Sequence, residues 1–126
     1  MNAFIDDTTT LEKQVNKLGY ENFIAIDTEF IRESTYFSKL CLIQIATEKL
    51  SFIIDALSPN INLNPLWELL KLKNQVKVMH ACRQDIEIFY KEIGQIPSPI
   101  FDTQIAAMVC GFGDQIGYDQ LVKNTI

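Results

Sequence analysis

The chain has 126 residues, 48% of them apolar and 21% charged, with a formal net charge of -5 and a pI near 4.7. That length suits one hydrophobic core, and the composition excludes both a disordered chain and a membrane-spanning apolar run. The acidity excludes a broad basic face for non-specific nucleic-acid binding, but not a nucleic-acid enzyme whose acidic site is neutralised by metal ions.

Taken in chain order, MNAFIDDTTT shows no basic region followed by an apolar stretch, so no signal peptide is expected and the cytoplasm is the expected location. Thr9 and Glu12 have the spacing of a capping box, and Leu11, Val15 and Leu18 recur at helical intervals up to Gly19. The spacing predicts a helix over 9–19. FIAIDTEF (23–30) reads as a strand ending in acids. KLCLIQIATE (39–48) and LSFIIDA (50–56) read as two strands of an antiparallel hairpin. Pro65 opens a helix through Trp67, Leu69 and Leu70. QVKVMHA (75–81) alternates as a strand. CRQDIEIFYKEIG (82–94) reads as a helix with Ile86, Phe89, Tyr90 and Ile93 on its apolar face and Gly94 as its stop. FDTQIAAMVC is a strand end followed by a helix that Asp102 caps, and GFGDQIGYDQLV is a glycine-rich loop that starts another helix.

The cysteines, Cys41, Cys82 and Cys110, form no C-x-x-C pair and read as reduced, buried thiols. Arg83 beside Cys82 favours a lower thiol pKa, but no base is aimed at it, so it is not read as a nucleophile. Helices alternating with strands predict an α/β domain with a mixed sheet, whose ligands bind beyond the carboxyl ends of strands.

Asp27 and Glu29 stand two apart on one strand, so both project to the same face while Thr28 faces the other way. Two like charges at that spacing cost stability unless a cation offsets them. Asp85 falls on the first turn of the helix after VKVMHA. If that strand lies beside the first, Asp85 hangs over the same edge. Three converging carboxylates are the donor set of a pair of hard divalent ions, about 3.5–4 Å apart, of the kind used in displacement at phosphorus.

DTEF with IRES, TYF and SKLCLIQIA, then VKVMHACRQDIEIF, then FDTQIAA, resemble ribonuclease D, of the DEDD family of 3′–5′ exonucleases. The likeness spans roughly residues 8–123. It implies an α/β, ribonuclease H-like mixed sheet flanked by helices, and a two-metal exoribonuclease using Mg2+ or Mn2+. Its implied substrate is the 3′ end of single-stranded RNA, such as a tRNA precursor, released as nucleoside 5′-monophosphates. Asp27 would bridge both ions, Glu29 would hold one and face the terminal 3′ hydroxyl, and Asp85 would help hold the second through water. The family's third motif, Y-x-x-x-D, does not occur here, since Tyr118 and Asp119 are adjacent. Residues 1–126 are therefore expected to be a C-terminally incomplete exonuclease domain, truncated before the last helices and lacking the helical RNA-binding domains. Oligomeric state and membrane association are not implied, and no membrane partner is expected.

Candidate substrate contacts are Thr28, Phe30, Arg32, Tyr36 and His80. Each has a plainer reading. Phe30 and Phe37 suit core packing better than base stacking, whereas Tyr36 suits stacking. Arg32 and Lys39 are either phosphate contacts or solvated charges. His80, the one histidine, reads more simply as a hydrogen-bonded structural residue than as a ligand. Gln44 is expected to be satisfied inside the sheet, and Asp102 with Thr103 to be a helix cap. GFGDQIG follows a helix and lacks a lysine, so it is no phosphate loop.

Three alternatives remain on sequence grounds. One is a DNA-trimming relative with the same acids. Another is an inactive chain keeping a partial metal and nucleic-acid site. The last is a haloacid-dehalogenase-type phosphatase, whose D-x-D-followed-by-Thr motif Glu29 and Phe30 fit poorly.

Overall fold

The computed structural model describes residues 2–32 and 38–126. Over these residues the chain forms β1 (Asn2–Ile5), α1 (Thr8–Leu18), β2 (Phe23–Arg32), β3 (Ser38–Ala46), β4 (Ser51–Asp55) and α2 (Asn64–Leu70). It continues as β5 (Val76–Met79), α3 (Arg83–Ile93), β6 (Ile100–Asp102), α4 (Thr103–Val109) and α5 (Tyr118–Thr125). The strands make one sheet in the order β1-β4-β3-β2-β5-β6. β3 pairs antiparallel with both neighbours and the remaining pairs are parallel, so β3 alone runs against the other five. The carboxyl ends of β2, β5 and β6 therefore share one edge. This is the mixed α/β sheet that the sequence predicts, with the strand 75–81 beside the strand 23–30.

Burial alternates along β2: Ile24, Ile26 and Thr28 are buried, whereas Phe23, Asp27 and Glu29 are exposed. The buried side joins Ile43, Ile45, Phe52, Ile54 and Met79 to Leu11 and Leu18 of α1, Leu66, Trp67, Leu69 and Leu70 of α2, and Ile88 and Phe89 of α3. Burying about twenty such side chains from water is the main driving force for the fold. Trp67 and Phe89 meet edge to face at 6.0 Å between centroids, locking α2 to α3. The acids of β2 lie on the other, more open face.

Several local readings change. A short first strand, β1, pairs in parallel with β4; four residues carry too little periodicity to be seen in sequence. Asp7, not Thr9, caps α1, because its carboxylate accepts from the Thr10 amide at 2.8 Å and the Thr10 hydroxyl at 2.7 Å. On α3 the buried stripe is Asp85, Ile88 and Phe89, at the i, i+3, i+4 spacing of one helical face. Tyr90 lies one residue further round and is exposed. Gly94 stops α3 with φ 79°, a left-handed conformation that glycine adopts without a Cβ penalty. Gln44 is exposed rather than buried in the sheet, since it falls on the open face. All three thiols are free; Cys82 is buried as expected, Cys41 is half-buried and Cys110 is exposed at the end of α4. Among the described residues no helix is long and apolar enough to cross a membrane. Tyr36 and Phe37 lie outside the described residues.

At the edge opposite the acids, Lys77 is fully buried in β5. Its Nζ donates to the carbonyls of Leu72, Gln75 (2.9 Å) and Ser98 (3.1 Å). Burial pushes the ammonium below its ordinary value, while three carbonyl partners replace its lost water. It ties the loops before β5 and before β6 together. Lys77→Met should therefore cost about 3 kcal/mol, because it keeps the stem but strands buried carbonyls. Urea denaturation checks this, and an unchanged midpoint would show that the clamp contributes nothing.

Candidate functional site

The site follows from the pairing of β2 with β5. Phe23 lies opposite Val76, Ile24 opposite Lys77, and Ala25 opposite Val78. Two residues further on, Asp27 lies level with His80, just beyond the end of β5. The chain then turns at Ala81, where φ is 52°, and enters α3 at Arg83. A left-handed, non-glycine residue marks a turn that its surroundings hold in place.

That turn delivers Asp85 to the end of β2. Asp85 is only 8% exposed, and the Thr28 hydroxyl donates to its Oδ1. Thr28, 6% exposed on the helix-covered face, thus holds an acid in place instead of lying open to substrate. Asp27 and Glu29 stand on the opposite face of the same strand. Burial raises the Asp85 pKa, the Thr28 hydroxyl opposes this, and the negative charge of Asp27 raises it further. The two acids therefore sense each other across the strand end.

Among the described residues, no three His, Cys, Asp or Glu side chains stand close enough together to hold one ion. The structure brings Asp27 and Asp85 into electrostatic reach and leaves Glu29 as a flanking acid two residues along. The reason lies in the alternation of β2, which puts Thr28 and its partner Asp85 behind the strand and the other acids before it. The donors nevertheless fit a divalent cation. They are hard carboxylate oxygens, one of them buried against a like charge. The ion pairs Lys71–Glu68 and Arg83–Glu87 involve other acids.

The surrounding residues divide clearly. Gln44 of β3 pairs with Asp27 and is exposed, so it places an amide beside the acid; sequence reading assigned it to the sheet interior and missed this. Its signal was available, as a polar residue breaking an apolar strand. A register shift between Glu29 and Phe30 marks a bulge, which re-aims the side chains that follow the acids. Phe30 is half-buried and packs on the core, whereas Arg32 and Lys39 are exposed where β2 and β3 meet. Tyr36 lies outside the described residues.

His80 takes the structural role. Its Nε2 lies 2.9 Å from the Ile116 carbonyl, which can only accept, so Nε2 carries a hydrogen. Its Nδ1 lies 2.8 Å from the Thr103 hydroxyl, and the Tyr118 ring meets it edge-on at 5.9 Å. With both nitrogens engaged, His80 fastens the loop before α5 and does not face a substrate. Cys82 also departs from expectation. Burial first, and then hydrogen bonding to Asp102, push its thiol up to about 12. Arg83 points into solvent and pairs at 3.8 Å with Glu87, so it does not lower that pKa. The thiol is inert.

Asp85 gives a signed test. Its folded carboxyl ionises above the ordinary 3.8, so above that pH the folded chain holds a proton that the unfolded chain has lost. Stability is then lost as pH rises through the folded pKa. Asp85→Asn keeps an acceptor for Thr28 and removes the charge. In metal-free buffer its melting temperature should exceed that of the parent at pH 7, and the advantage should vanish near pH 3.5. An Asp85→Asn variant less stable at both pH values would show that the buried charge is already compensated.

Comparisons with known proteins show the family and the fold. The profile of the 3′–5′ exonuclease family matches residues 2–126. The ribonuclease D of Bartonella henselae is 51% identical over 98% of this chain and 30% of its own length. That of Gluconacetobacter diazotrophicus is 52% identical over 97% of this chain and 31% of its own length. The crystal structure of Escherichia coli RNase D, described as an exoribonuclease involved in structured RNA processing, superposes with a TM-score of 0.91 at 33% identity. It covers 98% of this chain, which in turn covers 33% of it. The chain thus spans about a third of the length of the relatives it matches. With acids ending β2, a third acid delivered by β5 and α3, and a family profile running from residue 2 to the last residue, the chain belongs to the 3′–5′ exonuclease family.

Proposed function

We propose that the carboxyl end of β2 is the metal and RNA-terminus site of a ribonuclease D-type 3′–5′ exoribonuclease acting in the cytoplasm. The observation that carries this reading is the delivery of Asp85 to the end of the strand that bears Asp27 and Glu29. Members of this family work with divalent metal ions, and Mg2+ or Mn2+ suits the all-carboxylate donors here. When bound, such ions supply water activation and stabilise the leaving 3′ oxygen of the scissile phosphodiester.

The chain's own residues do the rest. Asp27 and Glu29 present oxygens from the open face, where a strand terminus of RNA has access. Asp85 adds negative charge from behind, and Thr28 fixes its orientation. Arg32 and Lys39, exposed beyond the bulge, are the proposed contacts for the phosphates of an incoming strand. Tyr36 is the proposed stacking surface for a terminal base. RNA, including tRNA-precursor tails, is proposed over DNA because the relatives nearly half or more identical are ribonucleases D.

A second reading keeps the same residues: no three-acid cluster stands among the described residues, and the site would bind metal and an RNA end without cutting it. Both readings share the binding step, and a calorimetric manganese titration of the chain and of Asp27→Ala tests that step. Manganese should bind the parent chain, and the variant should bind it at least about tenfold more weakly. Equal binding by both, or no heat at millimolar manganese, would overturn the site. In the same samples, Asp27-dependent release of a 3′ label from single-stranded RNA would mark hydrolysis, and binding without release would favour the second reading.

A further inference from the structure

The run Phe101–Asp102–Thr103–Gln104 does more than start α4. The Asp102 carboxylate caps that helix, accepting from the Gln104 amide at 2.8 Å and the Ile105 amide at 3.4 Å. It also reaches across to the neighbouring connection, where the Ala81 amide donates to Oδ1 and the Cys82 amide to Oδ2, each at 3.0 Å. One carboxylate thus ties the start of α4 to the turn between β5 and α3. Thr103 adds a second tie, its one hydroxyl proton shared between the Met79 carbonyl at 3.1 Å and His80 Nδ1 at 2.8 Å. Residues 79–82 are gripped from both ends of the turn.

This grip has a purpose that helix capping does not explain. α3 has no side-chain cap of its own, and Cys82 stands at its N-cap position. The orientation of its first turn is therefore set by what holds Ala81 and Cys82. Ala81 sits at φ 52°, a conformation costing an alanine of order 1 kcal/mol and kept only where its neighbours enforce it. Three residues beyond Cys82 is Asp85, whose carboxylate accepts from the Thr28 hydroxyl and so joins α3 to the acid end of β2. Charge-assisted hydrogen bonds to two consecutive amides are a stiff link. Burial and these amide bonds act in opposite senses on Asp102 itself, and the bonds prevail, holding its carboxyl below the ordinary range and thus charged at neutral pH.

We propose that Asp102 is a positioning residue for Asp85: it locks the β5–α3 turn so that Asp85 meets Thr28 beside Asp27. This rests on the metal-site reading above and adds a fourth acid to it, one that holds the site's frame without touching the ion. Sequence reading saw only the cap, because the amides of residues 81 and 82 come from the turn after β5, a strand distant in the chain and adjacent to β6 in the sheet.

The proposal separates cleanly by substitution. Asp102→Ser keeps a good N-cap hydroxyl for α4 but is too short to span to Ala81 and Cys82. Asp102→Asn keeps one oxygen and turns the other contact into a donor facing a donor. Both are compared with Val15→Ala, a core truncation on α1 that lowers stability far from the site. The first readout is the amide and methyl resonances of Thr28 and the amide of Asp85 in the metal-free chain. The second is paramagnetic broadening by added manganese. Both Asp102 variants should move the Thr28 and Asp85 resonances and weaken manganese binding about tenfold, whereas Val15→Ala should lower the melting temperature and move neither. Unmoved Thr28 and Asp85 resonances in Asp102→Ser would overturn the proposal, as would the same shifts in Val15→Ala. Because the resonance readout uses no metal, it decides the Asp102–Asp85 link even if an Asp85→Asn control shows that manganese binds elsewhere.

Discussion

The whole arrangement depends on the parallel pairing of β2 with β5. Three residue pairs, Phe23 with Val76 through Ala25 with Val78, set the two strand ends level. Everything chemical then follows from what each strand does next. β2 runs on for seven residues past Ala25, carrying Asp27 and Glu29 on the open face. β5 stops after Met79, turns and starts α3. A slip of one residue in this register would turn every side chain of β2 to the other face. The acids would then point into the helix layer and Ile24 and Ile26 into solvent. The apolar alternation of β2 is therefore what fixes the direction of its carboxylates.

The energetic character of the site follows from its two faces. Asp27 is solvated and Asp85 is not, so the pair is asymmetric: the buried member carries the desolvation cost and feels the exposed member's charge. Thr28 offsets part of that cost with one hydroxyl. An acid held partly against its preference for water is one that gains most from a cation. Stability lost at such a place is regained on binding, since a ligand that binds only the folded chain shifts the folding equilibrium towards it. The compensating stability lies far away, in the core beneath the sheet and in the Lys77 clamp at the opposite edge.

Much of this was legible in the sequence because local pattern and global fold agree. The alternation through Ile24, Ile26 and Asp27 gave the strand and its face; Asp102 announced its helix; Gly94 announced an end. The resemblance carried by DTEF, HACRQD and FDTQ pointed to the family that the comparisons show. What escaped depends on contacts distant in sequence. Thr28 was a candidate substrate contact and is the partner of Asp85. Gln44 looked buried and stands opposite Asp27, because its face is decided by the pairing of β3 with β2. Arg83 beside Cys82 suggested a lower thiol pKa, yet Arg83 turns outward, and burial first and then a carboxylate twenty residues away raise it. Burial and cross-strand partners decide these cases, and neither is a property of local spacing.

The central claim is that a divalent ion belongs at the end of β2, and it is tested most directly by locating one. Crystals of the chain soaked in Mn2+, measured on both sides of the manganese absorption edge, would show the ion by anomalous scattering. The expected result is a peak within ligand distance of the Asp27 carboxylate, about 2.0–2.3 Å, with Glu29 or Asp85 as a further ligand directly or through water. Manganese found at other sites on the molecule, with none beside Asp27, would contradict it.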